Sequence, residues 1–185
     1  MRSLVFFLEE ASAEEMLKGL LPRILPADIS PRFIVFEGKQ DLEKQIIRKM
    51  KGWNTPDTLF VVMRDQDGGD CIAIKESLVQ KCIDARHGDA LVRIACHELE
   101  SFYLGDPDAV KKGLGIRKLH GLRGKSGYEN PDLVDQPSRV LMKLTKYQYQ
   151  KIGGSRAIGP YLAVDGSNSS HSFNVLIRGI LELIG

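Results

Sequence analysis

The sequence predicts an α/β fold: an open, mainly parallel sheet of about four strands with helices on both faces, followed by a C-terminal helical extension. Three observations carry this. Short apolar runs rich in Val, Ile, Leu and Phe are continuous rather than alternating, as in strands buried on both faces. Single helix-length segments separate these runs, and strands joined in that way pair in parallel through right-handed crossovers. After the last run the alternation stops and helical spacing takes over.

The first run, residues 4–8, follows Arg2 and ends at once in Glu9-Glu10, which makes it a strand rather than an export signal. Over 13–25, Met16, Leu17, Leu20, Leu21 and Ile24 recur at helical spacing, and Ser12 with Glu15 supplies a capping box. The second strand is expected at 33–36. A helix over 41–53 follows on Leu42, Ile46, Ile47 and Met50. The third strand, 59–63, leads through Asp70, an expected N-cap, into a helix over 71–85 carrying Ile74, Leu78, Cys82 and Ile83. The fourth strand is 91–95.

Beyond it, 98–104 reads as helix and 111–127 as a Gly- and Lys-rich stretch. Residues 137–149 read as helix, 153–160 as a loop or helix entry, and 173–184 as a closing amphipathic helix. The expected organisation is a core at 1–106 with a basic, mainly helical extension at 107–185 packed on it, a single domain overall.

With 185 residues, 43% hydrophobic and 27% charged, the composition excludes disordered and fibrous classes. A formal charge of +2 does not by itself announce a nucleic-acid partner, so the placement of charge carries the argument. Cys71, Cys82 and Cys96 form no CxxC pair, which speaks against a disulfide framework or a structural zinc and for a reducing, cytoplasmic setting. No apolar stretch approaches the ~18 residues that cross a bilayer, so no membrane role is expected.

Ligands of open α/β sheets bind at the carboxyl ends of the strands. Three strands run into acid there: Glu9-Glu10 followed by Glu14-Glu15, Asp65-Gln66-Asp67, and Glu98-Leu99-Glu100. Converging carboxylates repel one another unless a cation neutralises them, and magnesium, or manganese, suits an all-oxygen set. A turn at Gly68-Gly69 is expected to bring Asp65 and Asp67 to one ion. The bland alternative is solvated loop acids and helix caps. A calcium loop is excluded, because Gly69 falls where a ligand is needed and Asp70 where the turn glycine belongs. A phosphatase with Asp65 as nucleophile stays open, although that motif normally follows the first strand of its fold.

Two acid-free runs offer positive charge. One, 109–128, holds Lys111, Lys112, Arg117, Lys118, Arg123 and Lys125, with His120 among them. The other, 136–164, holds Arg139, Lys143, Lys146, Lys151 and Arg156, with Tyr147 and Tyr149 available to stack on bases. Both are candidate nucleic-acid contacts.

With glutamate after the first strand, Asp-x-Asp after a later one and another glutamate beyond, the chain resembles the Toprim domain of topoisomerases, primases and overcoming-lysogenisation-defect nucleases. The stretches 7–15, 60–67 and 97–106, with Asn130-Pro131-Asp132, Pro137-Ser138-Arg139 and 146–184, resemble more closely a bacterial Toprim-like family known as a domain of unknown function, often found beside ATPase genes. The resemblance implies a metal-dependent nuclease with catalytic Glu10, Glu14, Asp65, Asp67 and Glu100. In the two-metal arrangement it implies, Asp65, Asp67 and Glu10 hold one ion, and Glu14 and Glu100 help hold the other; Glu98 is a further candidate ligand. An ATPase-linked defence role is implied as well. The alternatives are a non-catalytic nucleic-acid-binding or regulatory subunit of an ATPase pair, and the phosphatase. The family's glycine after the first glutamate is Ala11 here, which a turn of positive φ would strain.

Overall fold

The computed structural model describes residues 2–119 and 129–185. Its sheet is formed by β1 (Arg2–Leu8), β2 (Ile29–Val35), β3 (Thr58–Asp65) and β4 (Leu91–Ala95), all parallel, in the order β2-β1-β3-β4. The helices α1 (Ala11–Leu20), α2 (Lys39–Lys51) and α3 (Cys71–Asp84) make the crossovers. The expected open parallel α/β sheet with a helical C-terminal part is therefore the observed fold.

Alternation along the strands divides two cores. Leu4, Phe6 and Leu8 with Val61 and Met63 face α1 and the C-terminal helices, while Val5 and Phe7 with Phe60 and Val62 face Leu42, Ile46 and Met50 of α2 and Leu78 and Cys82 of α3. Burial on both faces explains why the strands read as continuous apolar runs. β2 lies at an edge, where Pro31 in its middle is tolerated because its missing N–H faces no partner strand.

The chain continues through α4 (Glu100–Leu104), α5 (Pro107–Leu114), α6 (Pro137–Leu144), α7 (Lys151–Ile158) and α8 (His171–Ile184). Their Phe102, Val110, Leu141, Ile158, Phe173 and Ile180 join Leu4, Phe6 and Met16 in one apolar cluster that spans both sides of position 106. Close helix contact requires Gly159, where a Cβ would stand 2.5 Å from the Met16 carbonyl oxygen. Among the described residues no helix is long and apolar enough to cross a membrane.

Several local expectations are corrected. The capping box on Ser12 and Glu15 does not form: Glu10 is the N-cap residue of α1, and Ser12 instead donates its hydroxyl proton to the Glu10 carboxylate. Pro22 stops this helix at Leu20 and leaves a 3-10 turn over Leu21–Arg23, because proline cannot donate within a helix. The Gly- and Lys-rich stretch begins inside α5, capped by Asp106 and ended by Gly115 at φ 64°. The helix expected over 137–149 ends at Leu144, since Lys146 and Tyr147 both turn left-handed. Residues 153–160, read as a loop or helix entry, lie mostly within the helix Lys151–Ile158, which a 3-10 turn over Gly159–Tyr161 follows. Asp70 caps α3 as expected, accepting from the Ile72 and Ala73 N–H groups.

Candidate active site

The carboxyl edge of the sheet gathers an inner set of acids. Asp65 is the last residue of β3, and its side chain lies on the face opposite that of its neighbour Arg64, as strand alternation requires. It is almost fully buried. Burial first, then the fields of Glu10, Glu100 and Glu9, push its carboxyl well above the ordinary range, against a hydrogen bond from the Leu99 backbone. Glu100, in the first turn of α4, has no solvent exposure. Its Oε1 accepts from the Tyr149 hydroxyl at 2.8 Å, while its Oε2 is buried with no hydrogen-bond partner among the described residues. Burial raises its carboxyl too, and the Tyr149 hydrogen bond and the Lys151 charge only partly offset this.

Two groups from the C-terminal part complete this set. The Lys151 Nζ donates to Glu10 Oε2 at 2.6 Å, across 141 residues of sequence. Burial works against its charge, but the Glu10 hydrogen bond and the fields of Glu10, Glu100 and Asp65 outweigh that and raise its pKa. Tyr149 is held from every side. Its N–H donates to Thr145 Oγ1 at 3.2 Å, its ring lies 6.0 Å from that of Tyr103, and Gly154 leaves room for it where any Cβ would overlap the ring. Tyr103 in turn donates to Ser155 at 2.7 Å, and Ser155 to the Lys151 carbonyl at 2.7 Å. Tyr149 is thus a buried support for Glu100, not a surface ring for stacking on bases; Tyr147 remains 67% exposed.

A second, outer set lies beside it. Glu9 Oε2 accepts from the Asp65 N–H at 3.1 Å and faces Arg64, which also pairs with Glu43 at 2.5 Å. Burial raises the Glu9 carboxyl, opposed by the Asp65 N–H and Arg64. Asp67 belongs here rather than with Asp65. Its backbone turns left-handed at φ 54°, and its half-exposed carboxylate pairs with Lys39 at 2.7 Å. Asp67 thus meets Lys39, while the fields on Asp65 come from Glu10, Glu100 and Glu9.

Other candidates lie apart. Glu14 pairs with Lys18 at 2.9 Å on α1, and no contact joins it to Glu100, so the expected second-ion pair is not assembled. Glu98 Oε2 accepts from the Ser138 N–H at 2.7 Å and caps the start of α6. A small cleft of about 250 Å³ beside it is lined by Asp67, Gly68, His97, Glu98, Asp135 and Gln136. Ala11 is the first residue of α1, with no positive φ, so it imposes no strain on the turn after Glu10.

Of the basic candidates, Lys111 pairs with Asp108 at 2.5 Å, and Arg156 pairs with Glu15. Lys112, Arg117, Lys118 and Lys146 are exposed. Arg123 and Lys125, with His120, lie outside the described residues.

Magnesium commonly takes one or two carboxylates and fills its remaining positions with water and substrate phosphate. The oxygen-only set of Glu10, Asp65 and Glu100, with one buried oxygen lacking a partner, fits such an ion chemically. Among the described residues, however, no three His, Cys, Asp or Glu side chains form a ready cage. Glu9 was seen only as part of the first acidic cluster and Tyr149 only as a ring for bases; the structure gives them the Asp65 N–H and the Glu100 carboxylate. Lys151 was assigned to nucleic acid but lies on Glu10.

Neither the curated proteins nor the solved structures include a match to this chain. One family model, described as a domain of unknown function (DUF4276), matches residues 8–181, nearly the whole length. The chain belongs to that family.

Proposed function

We propose that this protein hydrolyses phosphodiester bonds of nucleic acid in a reaction that depends on magnesium or manganese. The observation that carries the reading is the buried, unpartnered Oε2 of Glu100 beside the mutually repelling carboxylates of Asp65 and Glu10. Buried like charges are costly unless a cation joins them. Asp65, Glu10 and Glu100 would hold the ion. When bound, it would activate water and offset the charge of the phosphate.

The chain's own groups divide the remaining work. Tyr149 fixes one oxygen of Glu100 and leaves the other for the site. Lys151 holds Glu10 and places a full positive charge at the rim, where a phosphate would enter. The exposed Lys112, Arg117, Lys118 and Lys146 would attract the backbone. By resemblance, an ATPase is the expected protein partner.

A second reading is a non-catalytic nucleic-acid-binding or regulatory subunit. The observation favouring it is that Lys151 already neutralises Glu10, so the acids need no ion to coexist in the fold.

The test is to assay DNA, RNA and a generic phosphomonoester with magnesium or manganese, using wild type, Asp65→Ala and Glu100→Gln. Nucleic-acid cleavage that both variants lose supports the hydrolase. Binding without turnover, even with the partner ATPase present, transfers support to the second reading; phosphomonoester turnover alone points to a phosphatase.

A further inference from the structure

We infer that Tyr147 is a base-stacking residue that selects single-stranded over duplex nucleic acid. The inference rests on the hydrolase reading for its substrate class, but its test is one of binding alone.

The C-terminus of α6 carries the argument. The Tyr147 N–H donates to the Met142 carbonyl at 2.7 Å, and the Lys146 N–H to the Lys143 carbonyl at 3.2 Å. This is the hydrogen-bond pattern of a helix stop in which glycine is the usual left-handed residue. Here two successive side-chain-bearing residues adopt that backbone, Lys146 at φ 50° and Tyr147 at φ 61°. Such residues rarely adopt it, and a lysine and a tyrosine gain nothing from it locally.

Folding alone does not account for this choice. The Tyr147 ring is 67% exposed, and the buried Tyr149 two residues later shows that an aromatic here can be packed away. The strained turn instead holds a large π-face out to solvent.

The surroundings specify the ligand. From 136 to 164 there is no Asp or Glu. Lys146 precedes Tyr147 and Lys143 lies four residues before it; both are exposed, and among the described residues neither has an ion-pair partner. An exposed ring whose neighbours in sequence carry unpaired ammonium groups suits a base on its face and phosphates nearby. Tyr147 also lies four residues before Lys151, so their Cα atoms are at most about 14 Å apart. A strand stacked on the ring therefore lies within a few nucleotides of the carboxylate site. A duplex offers such a ring no free base face.

The test compares wild type, Tyr147→Phe and Tyr147→Gly by fluorescence anisotropy in EDTA. The probes are labelled oligodeoxythymidylate, labelled oligouridylate and a short mixed-sequence duplex. Tyr147→Gly is expected to bind the single strands about tenfold more weakly, to keep its duplex affinity, and to melt at or above the wild-type temperature because the left-handed turn then suits its residue. Tyr147→Phe is expected to bind as wild type does, since stacking needs the ring and not the hydroxyl. Equal loss on single strands and duplex, no loss at all, or failure of the wild type to bind any strand would overturn the inference. Strand binding that depends on Tyr147 in a protein that cleaves nothing would leave the inference standing and remove the hydrolase reading.

Discussion

Replacing Asp65 with asparagine is expected to stabilise the cation-free protein at neutral pH. In the folded chain burial and the neighbouring Glu10, Glu100 and Glu9 raise this carboxyl above its ordinary value, and burial raises Glu100 and Glu9 in the same direction. A folded state with raised carboxyl pKa values binds protons more tightly than the unfolded chain does. Its stability is therefore full below the ordinary carboxylate values, 3.8 for Asp and 4.5 for Glu, and is lost as pH rises through the folded values. Asparagine keeps the shape and the acceptor for the Leu99 N–H but never ionises. Burying a charge whose partners are incomplete costs on the order of 1–3 kcal/mol. At about 2–4 °C per kcal/mol for a chain of this size, the gain at about pH 8 in EDTA is roughly 2–12 °C. Thermal melts of wild type and variant from about pH 5 to pH 8 measure it. The wild-type melting temperature should fall across that range and the variant's should fall less, while magnesium should raise only the wild type. A variant that melts at or below wild type at the alkaline end would refute the electrostatic reasoning.

Lys151→Met should have the opposite sign in EDTA. It removes the ammonium beside Glu10, and because Lys151 is half exposed the loss is about 1 kcal/mol, read as a lower melting temperature near neutral pH. Combined with Asp65→Asn, its effect should shrink, because the two groups share one field. Gly154→Ala drives a methyl into the Tyr149 ring and is expected to cost about 1–3 kcal/mol in denaturant unfolding, with weaker manganese binding as Glu100 loses its support. Asp132→Ala should cost about 1–3 kcal/mol in the same assay without changing manganese affinity. Its carboxylate takes the Ser172 N–H at 2.7 Å and the Ser170 hydroxyl at 2.7 Å at the start of α8, far from the inner acids in role.

The sheet was legible because burial on both faces leaves unbroken apolar runs such as 4–8 and 59–63; the strand-end rule then pointed to the acids of 9–15, 65–67 and 98–100, and the resemblance named Glu10, Asp65 and Glu100 among them. Asp70 was legible as a cap from its place before a helical run. What escaped was set by long-range packing. Nothing local marks Tyr149 as buried or Lys151 as the partner of Glu10, because tertiary contacts across the chain decide both. The pairing of Asp67 with Lys39 accompanies a left-handed backbone at Asp67, which the sequence pattern Asp-x-Asp-Gly-Gly does not specify. Asn130-Pro131-Asp132, which supported the family resemblance, is structural: Asp132 fastens the start of α8.

Calorimetric titration of manganese into wild type and Glu100→Gln probes the ion site itself, because Glu100 supplies the buried oxygen left without a partner among the described residues. Saturable binding to the wild type and at least about tenfold weaker binding to the variant, about 1.4 kcal/mol, are expected. Wild-type protein that takes up no manganese, or a variant that binds it as tightly without the Glu100 carboxylate, would rule out an ion held by Glu100.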